Sequence, residues 1–260
     1  MEPYFDDGTS TLYCGDCEEA LAQMASDGVK VDKVITSPPY NIRRDLPDVK
    51  YDRYRDGMSN GEYSDWMVRV FLAMDAVLNK DGCVLWNVSY GNENSEAMVL
   101  TMADIMRGTP FTMADILVWK KGSARPNNVS PNKATRICEF VFVMCRRSEY
   151  DTFTANKRTV SVSKSGQDIY ENVFNLFSAP NGDSIALNHS TFSTGFVREL
   201  VARYVRVGGC RHGPVRGHRD DDARVLLAGA AGLLLRTERG AVRVRRQPPE
   251  GDWSWDGRAS

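Results

Sequence analysis

Thr36-Ser37-Pro38-Pro39-Tyr40 gathers a hydroxyl, two ring-locked residues and an aromatic side chain directly after the apolar run Val31–Ile35. The run reads as a buried strand, and two consecutive prolines can neither extend it nor open a helix in register. The chain must therefore leave the sheet as a stiff, extended loop that presents a hydroxyl, carbonyl oxygens and a ring together. A lone Pro-Pro is usually only a turn. A polar residue, Pro-Pro and an aromatic at the C-terminal end of a strand is a rarer set, and open α/β sheets place their sites at such ends.

The elements that must position this loop alternate along the first two-thirds of the chain, which predicts a doubly wound sheet. Strands are expected at Thr11–Cys14, Asp32–Ile35, Gly82–Val88, Asp115–Lys120 and Ile137–Cys145. Helical spacing marks Asp16–Ala25, Ser64–Leu78 and Ser95–Met106. In the second of these, Trp66, Val70, Phe71, Met74 and Leu78 form one apolar stripe, with Ser64 as N-cap. Such a stripe is core rather than a cofactor surface.

At 260 residues the chain can bury one substantial core. A formal net charge of −1 gives no global nucleic-acid signal, so any such contact must come from local basic patches. No apolar run approaches membrane-spanning length, and the acidic start Met1–Asp7 is unlike a signal peptide. Cys14 and Cys17 form a Cys-x-x-Cys, but no second pair completes a zinc set and no metal is expected. Free thiols in a reducing cytoplasm are the simplest account of the six cysteines.

Two loops concentrate positive charge. Residues 41–60 carry Arg43 and Arg44 beside the Pro-Pro loop, and Lys120, Lys121 and Arg125 open a second, Asn-rich loop. Each reads either as a solvated loop or as one that grips DNA phosphate.

The pentapeptide resembles motif IV of the amino-methylating DNA methyltransferases, which modify cytosine N4 or adenine N6. Leu12-Tyr13-Cys14-Gly15-Asp16-Cys17 resembles that family's strand-end Gly-Asp-Cys, and Leu187-Asn188-His189-Ser190-Thr191-Phe192 its motif X. Motif IV early and motif X late is the order of the β class, and the resemblance covers about residues 11 to 208. It implies an α/β, Rossmann-like sheet, mainly parallel, with helices on both faces and a small target-recognition insertion. The implied divisions are a catalytic domain at 1–147, target recognition at 148–184 and a cofactor-side segment at 185–209.

By the same resemblance, S-adenosylmethionine is the methyl donor and double-stranded DNA the substrate, with a restriction endonuclease as a partner such enzymes can have. The setting implied is the cytoplasm of a bacterial cell, with the gene of bacterial or phage origin. Ser37, Pro38, Pro39 and Tyr40 correspond to the catalytic loop. Asp16, Cys17, Thr36, Asn188, His189, Thr191 and Phe192 correspond to the cofactor side. Ser37 and the Pro38 carbonyl would accept the two amine hydrogens, and Tyr40 would stack on a flipped base. Serine in the first motif position leans toward cytosine N4, with adenine N6 as the alternative. Cytosine C5 methylation needs a thiolate after proline, and none of the cysteines follows one.

From Val205 onward the composition changes. The last 56 residues contain no Phe, Tyr, Met, Ile, Asn or Lys, all residues with A/T-rich codons, so the tail reads like GC-rich DNA out of frame. Back-translated with permitted codons and read one base later, Cys210–Asp222 can give V-A-T-D-P-F-G-G-T-G-T-T, and the β class carries D-P-F-x-G-x-G-T at this place. The plainer reading is an Arg-rich disordered extension that binds nucleic acid. On the frameshift reading, residues 210–260 are an aberrant, poorly packed tail. The glycine loop that cradles the cofactor's methionine end is then missing, and the chain could be a catalytically dead remnant that keeps only DNA affinity.

Overall fold

The computed structural model describes residues 2–8, 10–41, 57–91, 94–124, 126–128, 130–153, 155–181, 193–205, 224–229 and 232–237. The chain order begins β1 (Phe5–Asp6), β2 (Ser10–Tyr13), α1 (Cys17–Ser26), β3 (Val31–Ser37), α2 (Asn60–Val77), β4 (Leu78–Val88) and α3 (Ala97–Gly108). It continues with β5 (Phe111–Lys121), β6 (Cys138–Arg146), β7 (Thr159–Val162), β8 (Asp168–Tyr170), β9 (Leu176–Ala179), α4 (Thr194–Tyr204), β10 (Arg224–Gly229) and β11 (Gly232–Thr237).

Nine strands form one sheet in the order β1-β2-β11-β10-β3-β4-β6-β5-β9. β3 pairs in parallel with β4 and β10, and β5 with β9, while β6, β11 and β1 run the other way. The remaining strands share one direction, so the sheet is mainly parallel in strand direction, with antiparallel seams at β6 and β11. Helices α1, α2 and α3 cover one face and α4 the other. A sheet covered on both faces needs apolar residues at successive positions rather than in alternation. β4 shows this, with Val84, Trp86 and Val88 in the core under α1–α3 and Cys83 and Leu85 in the core under α4. Phe71 of α2 meets Trp86 and Phe111 edge-on at ring-centroid separations of 5.8 and 5.6 Å. Aromatic pairs of this geometry contribute about 1 kcal/mol each beyond their burial.

Three boundaries differ from those expected. α2 begins at Asn60, because Ser59 accepts from the Glu62 N–H while Glu62 Oε2 accepts from the Ser59 N–H at 3.0 Å. Ser59-x-x-Glu62 is a capping box, so the N-cap is Ser59 and not Ser64, whose buried hydroxyl bonds Thr101 of α3 instead. In the insertion expected at 148–184, only β7 and β8 stand apart as a two-stranded ribbon. β9 returns to the main sheet beside β5. Within the tail expected to be poorly packed, the one strongly apolar stretch does enter the sheet. β10 inserts between β3 and β11, with Val225 and Leu226 buried, because a run such as Val225-Leu226-Leu227 gains more by pairing there than by facing water. The other residues of 206–260 lie outside the described ones.

Arg146 at the end of β6 ties this frame together. Its guanidinium meets Asp75 Oδ1 at 2.6 Å and Glu149 at 3.3 Å, and donates to the carbonyls of Asp75, Leu78 and Asn79. Those carbonyls lie at and just beyond the C-terminal end of α2, where a cation is favoured. Arg146→Met should keep the apolar stem and lose every one of these bonds. Urea unfolding is expected to show a loss of about 2–3 kcal/mol; an unchanged midpoint would mean the cluster holds nothing.

Candidate functional site

β3 ends at Ser37, and the next three residues are held from below. Tyr63 of α2 donates its hydroxyl to the Pro39 carbonyl at 2.6 Å. Asn41 is buried at 0% exposure in a left-handed conformation, φ +53°, which asparagine tolerates better than most residues. Its side chain donates to the Met58 carbonyl at 3.0 Å and accepts from the Gly57 N–H at 3.1 Å. Asn94 then donates to the Asn41 carbonyl at 2.7 Å and to Asn60 Oδ1 at 2.8 Å. Residues 41 and 57–60 are thereby clasped side by side.

Above this floor lies a polar network drawn from four neighbouring strand ends. The Tyr40 hydroxyl is 3.0 Å from Ser37 Oγ, 3.1 Å from Asn87 Oδ1 of β4 and 3.0 Å from Glu139 Oε2 of β6. Lys121 at the end of β5 holds the other Glu139 oxygen at 2.9 Å. Asn87 has its amide orientation set, since Nδ2 donates to the Phe140 carbonyl at 3.1 Å. Burial and the Glu139 charge push the Tyr40 ionisation well above its ordinary value, so the phenol keeps its proton at neutral pH.

Proton counting fixes the direction of these bonds. A phenol has one proton, while an ionised carboxylate and an amide oxygen only accept. Asn87 and Glu139 compete for the Tyr40 proton, so in the Ser37–Tyr40 pair the donor is Ser37. Its oxygen is left with lone pairs to offer outward. A preorganised acceptor at a strand end results, with the Tyr40 ring three residues on.

The remaining expected residues separate. Asp16 follows β2, which runs in the same direction as β3, so both lie at the same edge of the sheet. β11 and β10 intervene, about 14 Å at ordinary strand spacing. Asp16 is the N-cap of α1, its Oδ1 accepting from the N–H groups of Glu18 and Glu19. Gly15 turns the chain into it at φ +154°, where other residues are strained. Thr36 is buried between β10 and β4. Lys120 is exposed, whereas Lys121 pairs with Glu139 of the network. Arg43, Arg44, Arg125, Asn188, His189, Thr191 and Phe192 lie outside the described residues. The network members Glu139, Asn87, Tyr63 and Asn41 were missed from sequence, although Asn41 directly follows the motif.

The described edge fits only part of a nucleoside-bearing methyl donor. A carboxylate such as Asp16 suits ribose hydroxyls. A carboxylate-bearing end wants a glycine loop opening a helix, but the chain returns from β10 into β11 after two residues.

Comparison with known proteins bears on the family and the fold. A family model described as DNA methylase matches residues 31–208, more than half of the chain. The cytosine-N4-specific PvuII DNA methyltransferase is similar in structure at 15% identity and a TM-score of 0.57, over 79% of this chain and 73% of that one. M1.HpyAVI aligns at 16% identity and a TM-score of 0.45, over 75% of each chain. No curated protein matches significantly.

The first helix supplies a chemical check. Burial, with Asp16 and Glu18 adding to it, pushes the Cys17 thiol up to about 11, leaving about one thiolate in ten thousand at neutral pH. Cys14 is exposed. Iodoacetamide with peptide mapping should label Cys14 at least about tenfold faster than Cys17. Equal rates would show that Cys17 is no more shielded than Cys14.

Proposed function

The chain belongs to the DNA methylase family, and from that premise we propose that it methylates the exocyclic amine of a base flipped from duplex DNA, cytosine N4 before adenine N6. S-adenosylmethionine, when bound, supplies the electrophilic methyl group. Asp16 would hold the ribose hydroxyls of its adenosine part, with Cys17 beside it as a neutral thiol.

The amine is a weak nucleophile because its lone pair is shared with the ring, and no covalent bond to the base is required. What helps is a fixed pose and acceptors that draw on the N–H bonds, raising electron density on nitrogen. Ser37 Oγ and the Pro38 carbonyl serve as those acceptors, and the Tyr40 ring as the stacking surface. The observation that carries this reading is the convergence of Ser37, Asn87 and Glu139 on the Tyr40 hydroxyl, from which proton counting makes Ser37 the donor and leaves its oxygen lone pairs to accept. Ser37 at the first motif position favours the cytosine amine. Arg43, Arg44, Lys120 and Arg125 are the residues assigned to phosphate, and the β7–β8 ribbon to target recognition. The reaction places the protein in the cytoplasm with cellular DNA, and a nuclease of matching specificity is the partner this chemistry suits.

A second reading, a remnant with DNA affinity and little turnover, has one observation behind it. β10 and β11 form a direct hairpin where a glycine loop and helix would hold the donor's carboxylate end, and an out-of-frame tail accounts for that.

Two measurements test these readings. After incubation with genomic DNA and a high concentration of S-adenosylmethionine, mass spectrometry of the digested DNA should find N4-methylcytosine. Ser37→Ala and Tyr40→Ala should each reduce it severely, the latter by losing stacking of about 1–3 kcal/mol. N6-methyladenine would reverse the base preference, and neither product would reject the activity. Calorimetric titration should show S-adenosylmethionine binding weaker than micromolar. Micromolar affinity would show the tail to be a genuine part of the site and the frame intact.

A further inference from the structure

Resting on the amine-methylation reading, we infer that Glu139 is a positioning residue and the end of a proton path that runs from the target amine through Ser37 and Tyr40. Once nitrogen has bonded the methyl group and the methyl–sulfur bond has broken, the amine is cationic and must lose a proton. A serine hydroxyl cannot keep that proton, because a protonated alcohol is a strong acid. It can only pass one on.

The contacts give a route. Ser37 Oγ lies 3.0 Å from the Tyr40 hydroxyl, which lies 3.0 Å from Glu139 Oε2. As an amine N–H breaks, its proton bonds to Ser37 Oγ. The Ser37 proton passes to the Tyr40 oxygen, and the Tyr40 proton to Glu139. The amine goes from cation to neutral and Glu139 from anion to neutral, so the charge balances. Glu139 is the carboxylate of the network, and its side chain is only 13% exposed, which shields the path from water. Lys121 at 2.9 Å anchors the carboxylate by its other oxygen.

Asn87 explains why one phenol has two acceptors. Before transfer the Tyr40 proton is given to Glu139. Afterward Glu139 carries a proton and becomes a donor to Tyr40, whose newly received proton turns to Asn87 Oδ1 at 3.1 Å. The Tyr40 proton thus has an acceptor in both states, with no movement of heavy atoms. A purely structural network would need only one of these acceptors.

Glu139→Gln, Tyr40→Phe and the double variant test the path, with methyl transfer to genomic DNA followed under saturating S-adenosylmethionine. Melting temperature and DNA retention serve as controls for folding. Tyr40→Phe keeps the ring and its packing, so it stands if Glu139→Gln does not fold. Each single change should lower kcat by about 100-fold while KM for DNA stays within about threefold. The double variant should be no slower than the slower single, because both interrupt one path. Infrared difference spectra of wild type against Glu139→Gln, taken without DNA or cofactor, should show an ionised carboxylate at neutral pH. Near-wild-type kcat in either variant, additive losses, or a protonated carboxyl band would overturn the inference. A wild-type protein that transfers no methyl at all would instead remove the reading beneath it.

Discussion

Pro38 and Pro39 carry no backbone N–H and hold φ near about −65°, so the ladder binding β3 to β4 and β10 has to stop at Ser37. The rest of the site follows from that stop. A strand ended by side-chain choice alone could fray or slip. One ended by two prolines delivers the next residue in one direction. Tyr63 then takes the Pro39 carbonyl and Asn41 turns the chain through a left-handed conformation. Tyr40 is left with its ring partly exposed at the edge and its hydroxyl pointing inward. The sheet supplies only a row of neighbours; the prolines decide which atoms face them.

The neighbours that matter are charged and polar groups that would be costly there alone. Glu139 and Lys121 are both mostly buried, and each is accompanied by a partner in hydrogen-bond contact. A pair of this kind adds little to stability and can even cost some, since both charges give up hydration. Its persistence at the edge of an otherwise apolar core is better understood through what it does to Tyr40, whose proton it directs. The buried apolar residues on both sheet faces supply the stability; the polar network spends a little of it on orientation.

Much of the scaffold was legible in the sequence, and the reasons are local. Val31–Ile35 reads as a strand because its adjacent apolar pair, Val34 and Ile35, suits a sheet covered on both faces. The α2 stripe of Val70, Phe71 and Met74 reads as core because its spacing matches a helix. Ser37 and Tyr40 were legible because their chemistry lies within four residues. Glu139 and Asn87 were not. They reach Tyr40 across 99 and 47 residues of chain, and nothing in Cys138-Glu139-Phe140 distinguishes that glutamate from one in any strand. The start of α2 was written in Ser59-x-x-Glu62 and overlooked in favour of the nearer Ser64. In the tail, overall composition argued for little packing, whereas a single run of three apolar residues was enough for the open flank of β3.

The clasp at Asn41 has an evolutionary consequence. Met58 and Gly57 are bonded to the same side chain that ends the catalytic loop, so the two ends of the intervening segment are fixed in place whatever joins them. With its ends pinned, a connection costs only about 0.6 kcal/mol more for each doubling of its length. Descendants of this scaffold can therefore lengthen, shorten or exchange that segment while the geometry of Ser37 and Tyr40 stays unchanged. That segment and the Pro-Pro loop can thus diverge at different speeds within one fold.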